Sequence, residues 1–126
     1  SNDIILLSGG VSAGKKDLVP SVLAEAGFET VFHKISQKPG KPLLAGKIQD
    51  KLIFALPGNP AASLTCYYIY VEPILHSITG NSNPKNNLVQ KEMTHDLAVN
   101  NTRSQFLKAN FSENNFIKVD RSINKF

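Results

Sequence analysis

Three short turns constrain this chain more than anything else in it: SGGVSAG (Ser8 to Gly14), KPGKP (Lys38 to Pro42) and PGNP (Pro57 to Pro60). The first follows Ile4 to Leu7, a continuous apolar run with the form of a fully buried strand. From Asp17 to Ala26, the residues Leu18, Val22, Leu23 and Ala26 recur at helical spacing. Pro20 falls in the first turn, where a missing N–H costs little, and Gly27 suits a C-cap. Thr30 to Ile35 reads as a second strand, so strand, helix and strand form a βαβ unit whose strands run the same way. Ser36 to Pro42 is too short for a crossover, so it must reverse the chain. Leu43 to Ile48 then returns antiparallel, Gln49-Asp50-Lys51 turns it, and Leu52 to Leu56 runs parallel to the second strand.

PGNP opens a helix with Asn59 as N-cap and Pro60 at the first helical position. Leu64, Tyr67, Val71, Leu75 and Ile78 predict its buried stripe, Pro73 should kink it and Gly80 ends it. The three turns all follow the C-terminal ends of strands that point the same way. They therefore share one edge of the sheet, where open α/β folds bind ligands. Beyond Gly80 the polar stretch Asn81 to Asn87 reads as a linker. Val89 to Val99, Gln105 to Phe111 and Phe116 to Val119 read as short strands, with Ser112 to Asn115 as a hairpin turn. Residues 1–80 thus form an α/β unit, and 81–126 belong to a second, all-β one.

Charge narrows the partners. Lys34, Lys38, Lys41 and Lys47 fall between Glu29 and Asp50 with no intervening carboxylate, a local basic field in a chain of net charge +4. No aromatic and basic residues interleave as a nucleic-acid patch, which argues against nucleic-acid binding despite that charge. No apolar run approaches the ~18 residues of a membrane span, and no signal peptide is recognisable. Cys66, the only cysteine, excludes an internal disulfide, fits a cytosolic setting, and sits in an apolar helical pattern as a packed thiol. Ser1-Asn2 reads as a scar, and the strand opening at once from Asp3 predicts a piece of a longer chain.

Gly9, Gly14 and Lys15 stand as G-x-x-x-x-G-K, but Lys16 replaces the hydroxyl residue that a P-loop needs for magnesium, and no Walker-B strand follows. Both departures argue against an ATPase. The backbone N–H groups from Gly9 to Gly14 still suit an oxyanion, or the loop is a turn that binds nothing. In KPGKP, two prolines reduce the entropy of ordering Lys38 and Lys41, as in a preorganised anion site; a rigid surface turn is the alternative. Gly58 and Asn59 stand at another helix start. Asp17, the only carboxylate near this edge, either holds a magnesium ion bridging phosphates or is a charge favoured near a helix N-terminus. His33, His76 and His95 match no metal spacing.

SGGVSAGKKD, KPGKP and LPGNP, in this order and spacing, closely resemble the molybdopterin molybdenumtransferase family, the MoeA proteins and the E domain of gephyrin. Lys15 stands where that family carries an acidic residue. The resemblance implies an α/β fold: the C-terminal half of a three-layer MoaB/MogA-like domain over residues 1–80, then the start of an all-β C-terminal domain over 81–126. Thr102 to Phe111 looks like that domain's arginine-x-x-phenylalanine strand. Family members insert molybdenum from molybdate into adenylylated molybdopterin with Mg2+, releasing AMP, as cytoplasmic homodimers that a MogA-type adenylyltransferase can supply. Carried over, Asp17, Lys34 and Lys38 match the functional positions, with Asp17 toward the metal. Ser8, Gly9, Gly10, Val11, Ser12, Gly14, Gly40, Lys41, Pro57, Gly58 and Asn59 match positions lining the substrate pocket. The resemblance also leaves open a pterin- or nucleotide-binding module without turnover, or a gephyrin-like scaffold, and implies that this stretch alone is inactive.

Overall fold

Adjacent residues in the middle of the molecule point to opposite sides. Leu43, Ala45, Phe54 and Leu56 enter one apolar cluster, and Leu44, Ile53 and Ala55 enter another. This period-two alternation is what a strand buried on both faces produces. The structure, a computed structural model, describes residues 2–11, 17–81, 89–98, 102–111 and 117–119. Its strands are β1 (Ile4–Ser8), β2 (Glu29–His33), β3 (Gln37–Lys38), β4 (Leu44–Ile48), β5 (Lys51–Leu56), β6 (Ser104–Gln105), β7 (Ala109–Phe111) and β8 (Ile117–Val119). Its helices are α1 (Val19–Glu25), α2 (Pro60–Cys66) and α3 (Glu72–Ile78), the last two joined by a π-helical turn over Tyr67–Val71.

The main sheet has the order β1-β5-β4-β2. β1 lies parallel to β5, while β4 is antiparallel to both β5 and β2. β1, β2 and β5 therefore point the same way, as expected. Leu23 and Val19 of α1 pack on one face, and Cys66, Tyr70, Val71 and Ile74 of the α2–α3 helix pack on the other. Helix, sheet and helix make three layers of an α/β fold, and the expected class holds.

Several local expectations are corrected. β1 is an edge strand, not a fully buried one: it pairs only with β5, and Leu6 is exposed. In α1, Leu18 and Val22 face solvent (65% and 57% exposed), and Leu23 alone is buried, because a helix of seven residues meets the sheet along one narrow line. In the long helix Leu64 and Ile78 are exposed, and the fully buried residues are Cys66 and Val71. The spacing of five between those two reflects the π turn, whose extra residue shifts the buried face by one position. That turn ends two residues before Pro73, which has no N–H to give the preceding turn, so the disruption expected at this proline takes the form of a widened turn.

Toward the C-terminus, residues 89–98 form no strand; Met93 makes a single bridge to Ile117. The stretch read as one strand from Gln105 to Phe111 is two. β6 pairs in parallel with β3, while β7 pairs antiparallel with β8. Capture of the Ser104–Gln105 backbone by the KPGKP segment separates it from the β7–β8 hairpin. The turn read at Ser112 to Asn115 lies outside the described residues.

Candidate functional site

The first and third turns touch. The Gly9 N–H donates to the Leu56 carbonyl (3.0 Å), carrying the β1–β5 pairing one step past the strands. A Cβ at Gly58 would stand 3.5 Å from the Gly9 Cα. Gly10 has φ +70°, and a side chain there would strike Val19 of α1 at 2.7 Å, so the turn lies directly against the helix. Ser8 is exposed, Gly9 and Gly10 are half-buried, and Val11 is a core side chain beneath α1. Asp17 is half-buried, just ahead of the Leu18 cap. Ser12, Gly14 and Lys15 lie outside the described residues. In the third turn Pro57 is buried, Gly58 and Asn59 are exposed, and Asn59 Oδ1 accepts the Ala62 N–H (3.1 Å) as the expected helix cap. Among the described residues no three His, Cys, Asp or Glu side chains form a metal cluster.

The second turn is tied down from beneath by a polar group of three side chains. Gln37 is 2% exposed. Its Nε2 donates to the Pro39 carbonyl (2.8 Å) and lies 3.7 Å from Cys66 Sγ. The Tyr70 hydroxyl donates to Gln37 Oε1 (2.6 Å), and the Cys66 thiol donates to the Gly40 carbonyl (3.8 Å). Gly40, at φ +105°, has no room for a side chain: a Cβ would meet Cys66 Sγ at 2.5 Å and Gln37 Nε2 at 2.6 Å. The Lys38–Pro39 peptide is cis. Burial pushes the Cys66 thiol up to about 11, so at neutral pH it remains a donor and not a nucleophile. Burial, and then the neighbouring Cys66, raise the Tyr70 hydroxyl above its ordinary value as well.

From above, the same segment is paired with β6. The Ser104 N–H donates to the Ser36 carbonyl (3.2 Å) and the Phe106 N–H to the Lys38 carbonyl (2.9 Å). Lys34, Lys38 and Lys41 are all exposed. Lys34 has a left-handed backbone (φ +63°), a conformation that costs a lysine about 1 kcal/mol and that clusters at functional sites. The Lys34 N–H bonds the Leu43 carbonyl (3.1 Å), and the Ile35 N–H bonds the Lys41 carbonyl (2.9 Å), closing the base of the turn.

A groove of about 670 Å3 joins the second and third turns. Lys38 and Asn59 stand along it, with apolar walls from Leu64, Tyr68 and Phe106, and Lys108 belongs to the same lining. Lys34 and Lys41 lie outside it. The structure thus brings Gly9 to Gly58 and Lys38 to Asn59, with the third turn as the common neighbour. Such a site offers the Lys38 and Lys108 side chains at the end of a sheet beside an apolar slot. That combination suits a flat organic ring carrying negatively charged oxygens.

A three-layer sheet of this topology, with glycine turns and Lys38 at the C-terminal strand ends, defines a class of α/β domain whose ligand edge lies there. Residues 1–77 match the family described as a probable molybdopterin binding domain, and the chain belongs to that family. It is 40% identical over 78 residues to a molybdopterin molybdenumtransferase of Haemophilus influenzae, covering 62% of this chain and 19% of the relative. It is 29% identical over 107 residues to that of Bacillus subtilis, covering 85% and 25%. The crystal structure of a molybdopterin biosynthesis MoeA protein from Pyrococcus horikoshii superposes with a TM-score of 0.73 at 32% identity, over 94% of this chain and 28% of that one. The chain thus spans between 19% and 28% of these proteins' length. The resemblance drawn from the three motifs is borne out.

Sequence reasoning missed Gln37, Tyr70 and Cys66 as a unit, and the Gln105–Lys108 wall of the groove. Gln37 lies 29 residues from Cys66 and 33 from Tyr70. No periodicity links positions so far apart, and the only local signal was a glutamine directly preceding KPGKP.

Proposed function

We propose that this chain supplies part of the site at which a molybdenumtransferase inserts molybdenum from molybdate into adenylylated molybdopterin, releasing AMP. The observation that carries the reading is the meeting of the three turns: Gly9 against Gly58, and Lys38 beside Asn59 on a groove sized for a heterocycle. Molybdate, the pterin phosphate and AMP are all oxyanions. Lys34, Lys38 and Lys41 would neutralise their oxygens, and the glycine-turn N–H groups would orient them. Rigid turns meet this need because the donors are in place before charge develops. Asp17 is the residue that would hold magnesium, which supplies charge neutralisation at phosphate oxygens. A single carboxylate fits an ion whose remaining ligands are water and substrate. In this reading the whole enzyme is a cytoplasmic homodimer supplied by a MogA-type adenylyltransferase, and this chain alone does not turn over.

Titration calorimetry of this chain with AMP, molybdopterin and molybdate tests it. Lys38→Ala should weaken AMP binding about tenfold, as expected for loss of a charge-assisted bond. Equal affinity in the two proteins would remove Lys38 from the site. Turnover by these 126 residues alone in a molybdenum-insertion assay would overturn their inactivity. A second reading, a scaffold like the E domain of gephyrin, draws support from the apolar walls of the groove. It requires a protein partner whose binding is lost in Phe106→Asp while AMP binding is retained.

A further inference from the structure

We infer that Gln37 is the positioning residue of the lysine-bearing turn: clamped between Tyr70 and Cys66 of the helix and Pro39 and Gly40 of the turn, its amide sets where Lys38 and Lys41 project. The functional consequence rests on the reading of this turn as an oxyanion site.

The argument begins with what burying Gln37 costs. Its amide lies beside a cluster of apolar residues that includes Leu43, Leu56 and Val71. Each polar group left unsatisfied there would bear its full desolvation cost. Apolar residues of the same shape at both 37 and 70 would avoid most of that risk at little loss, so stability alone does not explain the pair. What the amide adds is direction. Its Nε2 faces both the Pro39 carbonyl and Cys66 Sγ, and its Oε1 accepts from Tyr70, so its orientation is specified from both ends. Position 40 takes only a glycine while Gln37 and Cys66 hold their places, because a Cβ there would strike both.

The helix side of the clamp is equally determined. Tyr70 lies in the π turn and packs its ring against Phe32 of β2, with centroids 6.0 Å apart. A tyrosine so held presents its hydroxyl at one point. β6 also bonds the Ser36 and Lys38 carbonyls. The turn is therefore held both by the helix side chains and by a paired strand, and its exposed lysine side chains depart from a fixed backbone. Gln37 touches no predicted substrate position except through this backbone, which makes its role one of placement.

Amide hydrogen exchange on the intact chain reads this directly, because the Leu43 N–H donates to the Gly40 carbonyl (3.1 Å) and reports closure of the turn. In Gln37→Met, which keeps the volume and removes the hydrogen bonds, Leu43 should exchange about tenfold faster while the β5 amides keep their rates. Tyr70→Phe, which keeps the ring packing, should do the same to a smaller degree and guards against a Gln37 variant that fails to fold. Ile53→Val, on the far face of the sheet, should lower the melting temperature without selective exchange at Leu43. In both turn variants AMP affinity should fall about five- to tenfold, more than the change in melting temperature accounts for. Leu43 exchange that merely follows the β5 amides in both variants would overturn the assignment, as would unchanged AMP affinity with a loosened turn. A wild-type chain that binds no AMP would sink the proposed function, while the exchange comparison would still decide whether Gln37 places the turn.

Discussion

On the face of the sheet covered by α2 and α3, Leu43, Cys66 and Val71 are fully enclosed, and the buried Gln37 side chain is locked among them. On the face covered by α1, the core of Val11, Leu23, Leu44, Ile53 and Ala55 holds no buried polar side chain among the described residues, and the helix leaves Leu18 and Val22 in water. A closed face can hold a polar group in a single geometry, because its partners cannot relax away and water cannot compete. A short amphipathic helix with one buried residue holds only itself, since so short a helix depends on tertiary contacts. The lysine turn rests on the closed face, and the difference explains why this turn is suited to carry precise positions.

The comparison can be broken most sharply at two adjacent leucines on opposite faces. Leu43→Ala should cost about 4 kcal/mol and Leu44→Ala nearer 2–3 kcal/mol in urea unfolding, because the enclosed side relaxes less around a cavity. Equal costs would mean the two faces are equally rigid. The next largest effect is one of pH. The Cys66 thiol is raised to about 11 in the folded chain from an ordinary value of 9.0. Its folded state therefore retains a proton that the unfolded state loses. Stability is unaffected below pH 9, then falls as pH rises through 9 to 11, by on the order of 2 kcal/mol. Burial of Tyr70 adds to the same trend at the alkaline end. Cys66→Ala should flatten that alkaline decline, and a decline unchanged in this variant would place its cause elsewhere.

Smaller effects sharpen the picture. Asn59→Ala removes the acceptor of the Ala62 N–H and should cost about 1 kcal/mol by thermal unfolding, whereas Asn59→Asp should retain most of the cap. On the open face Val22→Lys should change stability by less than about 0.5 kcal/mol, since the position is solvated and lysine favours helix at least as well as valine. A loss above 1 kcal/mol there would show that something covers α1 in solution.

The local elements of the α/β unit were legible because their signals are local. The turn at Gln49-Asp50-Lys51 marked the boundary of β4 and β5, and Asn59-Pro60 marked the start of α2. Gly27 and Gly80, each at φ +79°, marked the two helix ends. The common edge of the three turns was also legible, because crossover handedness and loop length leave few ways to connect the strands. Within that frame, the burial pattern of the helices was not. The expected stripe held at Tyr67, Val71 and Leu75, which pack on the core, and failed at its ends, Leu64 and Ile78, where the helix around the π turn runs out into solvent. β6 was hidden inside an apparently continuous strand, since pairing with Gln37–Lys38 is decided by a segment some sixty residues earlier.

By itself, then, the order of residues determined strand polarity, the sites of the turns and the family to which they belong, all of which follow from short-range sterics and from spacing along the chain. Only the tertiary structure decided which face closes, that Gln37 turns its amide between Tyr70 and Pro39, and that Lys38 and Asn59 share a groove. Those outcomes depend on side-chain packing between segments far apart in sequence, where a hydrogen bond or a close contact exists only once both partners have been brought to the same place.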